Sequence, residues 1–175
     1  MTRIAIRSAV PADYPVIAQL TVAAYRHDWQ VTPGHPYERV LANVADRATA
    51  GELLVAEDQQ TGRILGSVLF VLPGSRYAEL AGPGEGEFRT LAVDPAAQRR
   101  GVGRALVQAV LDRAVAHGCK AVVISVRDFA TAAHRLYETF GFVRTPERDW
   151  SPRRGINLWA LRLDLPATAG DEPRR

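Results

Sequence analysis

The chain has 175 residues, 47% of them hydrophobic and 23% charged, which suits one globular domain with a sizeable core. A formal charge of +3 and a pI near 9.4 are a slight excess, and no basic stripe interleaved with aromatics marks a nucleic-acid partner. No run nears the roughly 20 apolar residues of a membrane span, the N-terminal residues lack the apolar core of a secretory signal, and the single cysteine, Cys119, excludes an internal disulfide.

Taken in chain order, Thr2 to Arg7 alternates with Ile4 and Ile6 on one face and reads as a short strand. Pro11-Ala12-Asp13 opens a helix to about His27, since proline suits a first turn and aspartate complements the dipole. Thr32 to Pro36 is a breaker cluster, and a second helix is predicted from Pro36 to Ala50. Strands follow over Leu53–Glu57 and Ile64–Leu72, joined by a turn through Gly62. Pro73 to Gly86 carries Gly74, Gly82, Pro83, Gly84 and Gly86, far longer than the ~2–5 residues of a hairpin loop, so it is functional or disordered. Glu87–Val93 is the next strand.

Asp94-Pro95 stops that strand, and Gln98-Arg99-Arg100-Gly101-Val102-Gly103-Arg104 leads straight into a helix with an apolar stripe at Val107, Val110, Leu111, Ala114 and Val115. The first N–H groups of a helix lack internal partners and form an anion site. Glycines 101 and 103 remove side chains where a ligand must reach the backbone, and the arginines add forked donors suited to phosphate. The segment reads as a pyrophosphate cradle. Ala121–Val126, unbroken apolar, is a strand buried on both faces and paired in parallel with Glu87–Val93. A helix over Ala130–Phe140 stops at Gly141. The last strand, Ile156–Leu165, shifts its apolar parity between Leu158 and Leu161, which predicts a bulge or burial on both sides. Residues 166–175 read as a frayed tail, leaving one α/β domain over residues 1–165.

The cradle fits neither common nucleotide loop: Leu106 stands where the dinucleotide fingerprint needs a small residue, and no Gly-Lys-Ser/Thr ending is present. A strand ending Leu91-Ala92-Val93-Asp94-Pro95, followed by Q-x-x-G-x-G, resembles the acyl-CoA loop of the GNAT superfamily of N-acetyltransferases. A second block, Ala133-x-x-Leu136-Tyr137-x-x-x-Gly141-Phe142, is similar to another motif of that family, and together the blocks span about a third of the chain. The resemblance implies an α/β fold with a single-layer mixed, mostly antiparallel sheet, a central parallel strand pair and flanking helices. It implies acetyl-CoA as co-substrate and acetyl transfer to a primary amine of a small molecule or peptide. It further implies that Gln98, Arg99, Arg100, Gly101, Val102, Gly103 and Arg104 hold the pyrophosphate. Leu91, Ala92 and Val93 would lie along the pantetheine arm, with a backbone N–H near Val93 facing the thioester oxygen. The expected address is cytoplasmic, without nucleic-acid or membrane partners, and a homodimer is compatible with the family.

Within that resemblance Tyr137 is the candidate general acid and Glu87 the candidate base, with Glu85 a substitute and pairing of Glu87 to Arg89 the competing reading. The family's usual asparagine is here Ala130, which leaves Asp128 or Thr131 to cap the helix. Cys119 reads as a small buried hydrophobe. His27, His35, His117 and His134 lack metal-ligand spacing, so no metal is expected. The acceptor is expected between Trp29–Tyr37, the 73–86 loop, and Arg144–Arg154 with Trp150. Acetylation of protein lysines or N-termini, and a non-catalytic acyl-CoA sensor, are the competing functions.

Overall fold

The computed structural model describes residues 3–167, so Thr2 and most of the tail lie outside it. Seven strands form one sheet: β1 (Ile4–Ser8), β2 (Glu52–Asp58), β3 (Ile64–Val71), β4 (Glu85–Val93), β5 (Ala121–Arg127), β6 (Val143–Arg144) and β7 (Leu158–Asp164). Their order is β1-β2-β3-β4-β5-β7-β6, and only β4–β5 is parallel. The mixed, mostly antiparallel sheet is the one expected. The helices are α1 (Tyr14–His27), α2 (Tyr37–Ala42), α3 (Val44–Ala48), α4 (Val102–Ala116) and α5 (Thr131–Phe140).

Two cores lie on opposite faces of the sheet. Ile17, Leu20 and Ala24 of α1 and Val44 of α3 pack on Val55, Leu69 and Ala92. Leu106, Val107 and Val110 of α4 and Tyr137 of α5 pack on Leu54, Val68 and Phe88. Covered on both sides, β3 is buried along its whole length, which is why its sequence shows no alternation.

The single helix expected over 36–50 is two short ones. Asn43 leaves helical geometry (φ −81°, ψ 69°), and its side chain instead accepts the Asp46 N–H at 3.3 Å as the cap of α3. Strand β4 starts at Glu85, two residues earlier than expected, and the short β6 was not foreseen. The parity shift in β7 is double-sided burial: its pairing with β5 keeps one register from Asp164 to Leu158, while Ala160 and Leu161 are both buried.

Two irregularities of β4 shape the site. Leu69 pairs with Arg89 and Ser67 with Ala92, so β4 advances three residues while β3 advances two, and Thr90 sits at φ +55°. This bulge reverses the facing of the strand: Phe88 points to the α4 side and Ala92, four residues on, to the α1 side. Pairing with β5 covers only Glu85, Gly86 and Glu87. Beyond Glu87 the two strands separate, and a gap opens through the sheet.

Candidate active site

The 98–104 segment forms a strained turn leading into α4. Gln98 is extended, Arg99 has φ +62°, and Gly101, the N-cap of α4, has φ +80°. Two left-handed residues flank Arg100 in this turn, a kind of backbone that can aim successive N–H groups at an anion. Nothing lies within 4 Å of a Cβ built at Gly101, so φ alone calls for glycine there. Gly103 differs from expectation. Its Cβ would lie 3.2 Å from Leu136 Cδ2, so this glycine lets α4 and α5 approach. Gln98, Arg99 and Arg100 are exposed, while Arg104 donates to Thr139 Oγ1 at 2.8 Å and stacks on Phe140. Val102 is buried beneath the loop. Leu91, Ala92 and Val93 line the end of β4 where it has left β5.

Tyr137 stands at the gap from the α5 side. Its ring meets Phe88 edge-on at 5.5 Å and Phe142 at 5.8 Å. Burial first, and the Tyr25 phenol second, hold its hydroxyl above the ordinary tyrosine range, so it stays protonated at neutral pH.

Glu87, the last residue of β4 paired to β5, is fully buried. Its Oε2 accepts the N–H groups of Glu79 (3.0 Å), Leu80 (2.9 Å) and Ala81 (2.9 Å), and its Oε1 is buried without a partner. Burial pushes this carboxyl up, and the three amides and Arg89 pull it back only in part. Arg89 pairs with Glu79 at 2.9 Å and donates to the Tyr77 carbonyl, so the competing Glu87–Arg89 ion pair is not formed. Glu85 takes a different role. Burial would raise it, but Arg148, the Gly82 N–H and Arg162 outweigh burial and hold it below the ordinary range. A carboxylate so engaged is an anchor.

The long loop, expected to be permissive, is tied down along its length. Ser75 donates to the Ala50 carbonyl, Arg76 and the Tyr77 hydroxyl reach Asp46 at 2.6 and 2.7 Å, and Arg148 donates to the Leu80 carbonyl. Arg148 belongs to the 144–154 segment, so two of the three expected acceptor segments meet. The third contributes Tyr37, whose ring lies 6.4 Å from that of Tyr25, whereas Trp29 is 86% exposed and stands apart. Trp150 bonds Ser125 Oγ at 3.0 Å and holds the start of β7.

Helix α5 lacks a side-chain cap. Asp128 is bonded to Asn157 and Thr131 to the Phe129 carbonyl, so neither takes the role left by Ala130. His134 bonds the Arg127 carbonyl and faces Trp159, lining a cavity of about 310 Å³ on the far side of α5 from Leu136. Cys119 is half-buried, and burial raises its thiol. Two residues beside these segments were not foreseen, Tyr25, which packs on Tyr37, and Arg47, which bonds the Val40 and Leu41 carbonyls. Tyr25 follows the buried Ile17-Thr21-Ala24 stripe by one position, and Arg47 sits three residues after buried Val44; a polar-tipped side chain in an inward register was the available signal.

The acetyltransferase (GNAT) family model matches residues 15–142. A mycothiol acetyltransferase of Cellulomonas flavigena is 32% identical over 96% of this chain and 50% of its own length. The chain thus spans about half the length of that curated relative. Among solved structures, YncA of Salmonella typhimurium, a putative acetyltransferase with its cofactor acetyl-CoA, is 25% identical with a TM-score of 0.66 over 98% of this chain and 99% of that one. The PaiA N-acetyltransferase of Thermoplasma acidophilum in complex with coenzyme A shares the fold at 11% identity, with a TM-score of 0.73 over 93% and 99% of the two chains. With more than half of its residues matched by the family model, this chain belongs to the GNAT family of acetyltransferases.

Proposed function

We propose that the chain transfers the acetyl group of acetyl-CoA to a primary amine of a small molecule or peptide, by direct attack in a ternary complex. The observation that carries this reading is the gap between β4 and β5, with an anion-binding nest beyond one end and a protonated tyrosine at its side. When bound, acetyl-CoA supplies the thioester-activated acetyl group. The N–H groups of residues 99–104 would hold its pyrophosphate, assisted by Arg99 and Arg100 from solvent. Leu91 and Val93 would pair their free edge with the pantetheine amides, as an added strand does. A backbone N–H at Val93 would face the thioester oxygen. Glu87 removes the ammonium proton of the acceptor through its unpartnered Oε1, directly or through one water, and its raised proton affinity suits the task. Tyr137 gives its proton to the departing sulfur. The anchored 72–84 loop and the name borne by the mycothiol acetyltransferase relative favour a small acceptor over a protein lysine.

A panel of primary amines and short peptides, assayed for release of free CoA, tests this reading. Amine-dependent release with intersecting double-reciprocal lines is expected. Parallel lines would point to an acetylated enzyme, and the absence of amine-dependent release would overturn the proposal.

A further inference from the structure

Three consecutive N–H groups, of Glu79, Leu80 and Ala81, converge on Oε2 of Glu87. Backbone that aims successive N–H groups at one anion is concave, and its outward carbonyls need partners of their own. Two arginines meet that need. Arg148 donates to the Leu80 carbonyl at 2.6 Å. That carbonyl and the Ala81 N–H belong to one trans peptide and point opposite ways, so Arg148 and Glu87 fix the same plane from its two sides. Arg89 holds the other end of the run. Its Nη1 donates to the Tyr77 carbonyl at 2.8 Å and lies 2.9 Å from Glu79 Oε1. The N–H of that same peptide, on Ala78, donates to the Ser75 carbonyl at 3.0 Å.

Arg89 and Glu87 stand two residues apart on one face of β4, yet Arg89 reaches past the carboxylate to the loop. It grips the loop on either side of Ala78, just where the three amides begin. Around Glu87, β4 contributes Glu85 and Arg89, the loop contributes Glu79, and the 144–154 segment contributes Arg148. Glu85 is committed to Arg148 and Arg162, and Glu79 to Arg89. The partners of Glu87 across β3 and β5, Val71 and Val123, are apolar. Burial raises the Glu87 carboxyl, and the Ala81 and Leu80 amides, Arg89 and the Glu79 amide lower it.

We propose that Arg89 is a positioning residue for the base: by clamping the loop at Tyr77 and Glu79 it keeps three amides on Glu87 Oε2, which leaves Oε1 to take the acceptor's proton. The inference rests on the reading of Glu87 as the base. Without the clamp the amides leave the carboxylate, burial acts on it with less opposition, and the base is ionised only at higher pH.

The test compares the wild type with Arg89→Gln and Arg89→Lys, with folding checked by circular dichroism. In hydrogen exchange, the amides of residues 79–81 are expected to exchange roughly 10-fold faster in Arg89→Gln. In an NMR titration of the Glu87 carboxyl carbon, the midpoint moves to higher pH in Arg89→Gln. Arg89→Lys, which keeps the charge and one bonding nitrogen, falls between; it carries the same comparisons should Arg89→Gln not fold. In the pH profile of kcat/KM for the best amine, the loss in Arg89→Gln is roughly 10-fold on the acid side and shrinks as pH rises. A shifted midpoint with unchanged exchange would make Arg89 a local charge only, and a loss equal at every pH would make it a support of the fold. Either result overturns the proposal, as does a variant that matches the wild type in exchange and titration. Exchange and titration need no turnover. A fully active Glu87→Gln would sink the base reading on its own, and those two measurements would still decide whether Arg89 sets the state of Glu87.

Discussion

Glu87 Oε2 accepts the Ala81 N–H at 2.9 Å, the last of three consecutive loop amides that converge on one buried carboxylate oxygen. The same carboxylate is the proposed base, so the loop and the proton acceptor are set by one group.

Glu87→Gln retains an oxygen for the loop amides but no base, and turnover at neutral pH is expected to fall by roughly 10²–10⁴. Glu87→Ala strands the three amides as well and should lower stability by about 1–3 kcal/mol in a urea titration. The pH dependence has a definite sign. The folded carboxyl sits above its unfolded value, so the folded state holds the extra proton between the two, and stability falls as pH rises through that window. Activity should rise across the same window as the base forms. A Gln variant that keeps the wild-type acid limb in its pH profile would remove Glu87 from the mechanism.

Tyr137→Phe keeps the edge contacts with Phe88 and Phe142 and deletes only the proton. Turnover should drop by about 10²–10⁴ with the dissociation constant for acetyl-CoA nearly unchanged. Wild-type turnover in the Phe variant, measured at saturating acceptor, would reduce the residue to packing.

Gly101→Glu puts a negative charge and a left-handed side chain into the nest at φ +80°, with strain of roughly 1–2 kcal/mol. Acetyl-CoA at 100-fold over its dissociation constant should stabilise the wild type by about 2.7 kcal/mol. The variant should lose that thermal shift while still folding. Gly103→Ala should act differently, through the 3.2 Å approach to Leu136, and lower stability more than ligand binding. Equal cofactor shifts in Gly101→Glu and wild type would place the pyrophosphate elsewhere.

Arg148→Ala removes one of two arginines from buried Glu85 and frees the Leu80 carbonyl, so a loss of about 1–3 kcal/mol is expected. Glu85 titrates with the opposite sign to Glu87. Its folded value is depressed, so its contribution is present above the ordinary glutamate range and is lost as pH falls through the depressed value. Acid unfolding monitored by circular dichroism should begin at higher pH in the variant; coincident curves would make the ion cluster incidental.

Most of the order of elements, the turn from Gln98 to Arg104 into α4 and the helix bearing Tyr137 were legible in the sequence because each is local: a stopped strand, a glycine-led helix start, an apolar stripe closed by Gly141. The composition of β5 likewise announced a strand buried on both faces. What tertiary structure decided were the partnerships. Only the bulge at Thr90, set by the pairing of β3 with β4, turns Phe88 and Ala92 to opposite faces. Only three-dimensional packing gives Arg89 to Glu79 instead of Glu87, and sends Glu85 to arginines more than sixty residues away. The loop expected over Pro73 to Gly86 looked permissive because glycines report what a backbone can do, and its actual restraint comes from side chains on α3, β4 and the 144–154 segment. Arg47 illustrates the limit most directly. Its sequence neighbours set which way a helical side chain points, but that none of the ion pairs among the described residues gives it a carboxylate follows from packing that commits Asp46 to Arg76 and Tyr77 and Glu79 to Arg89.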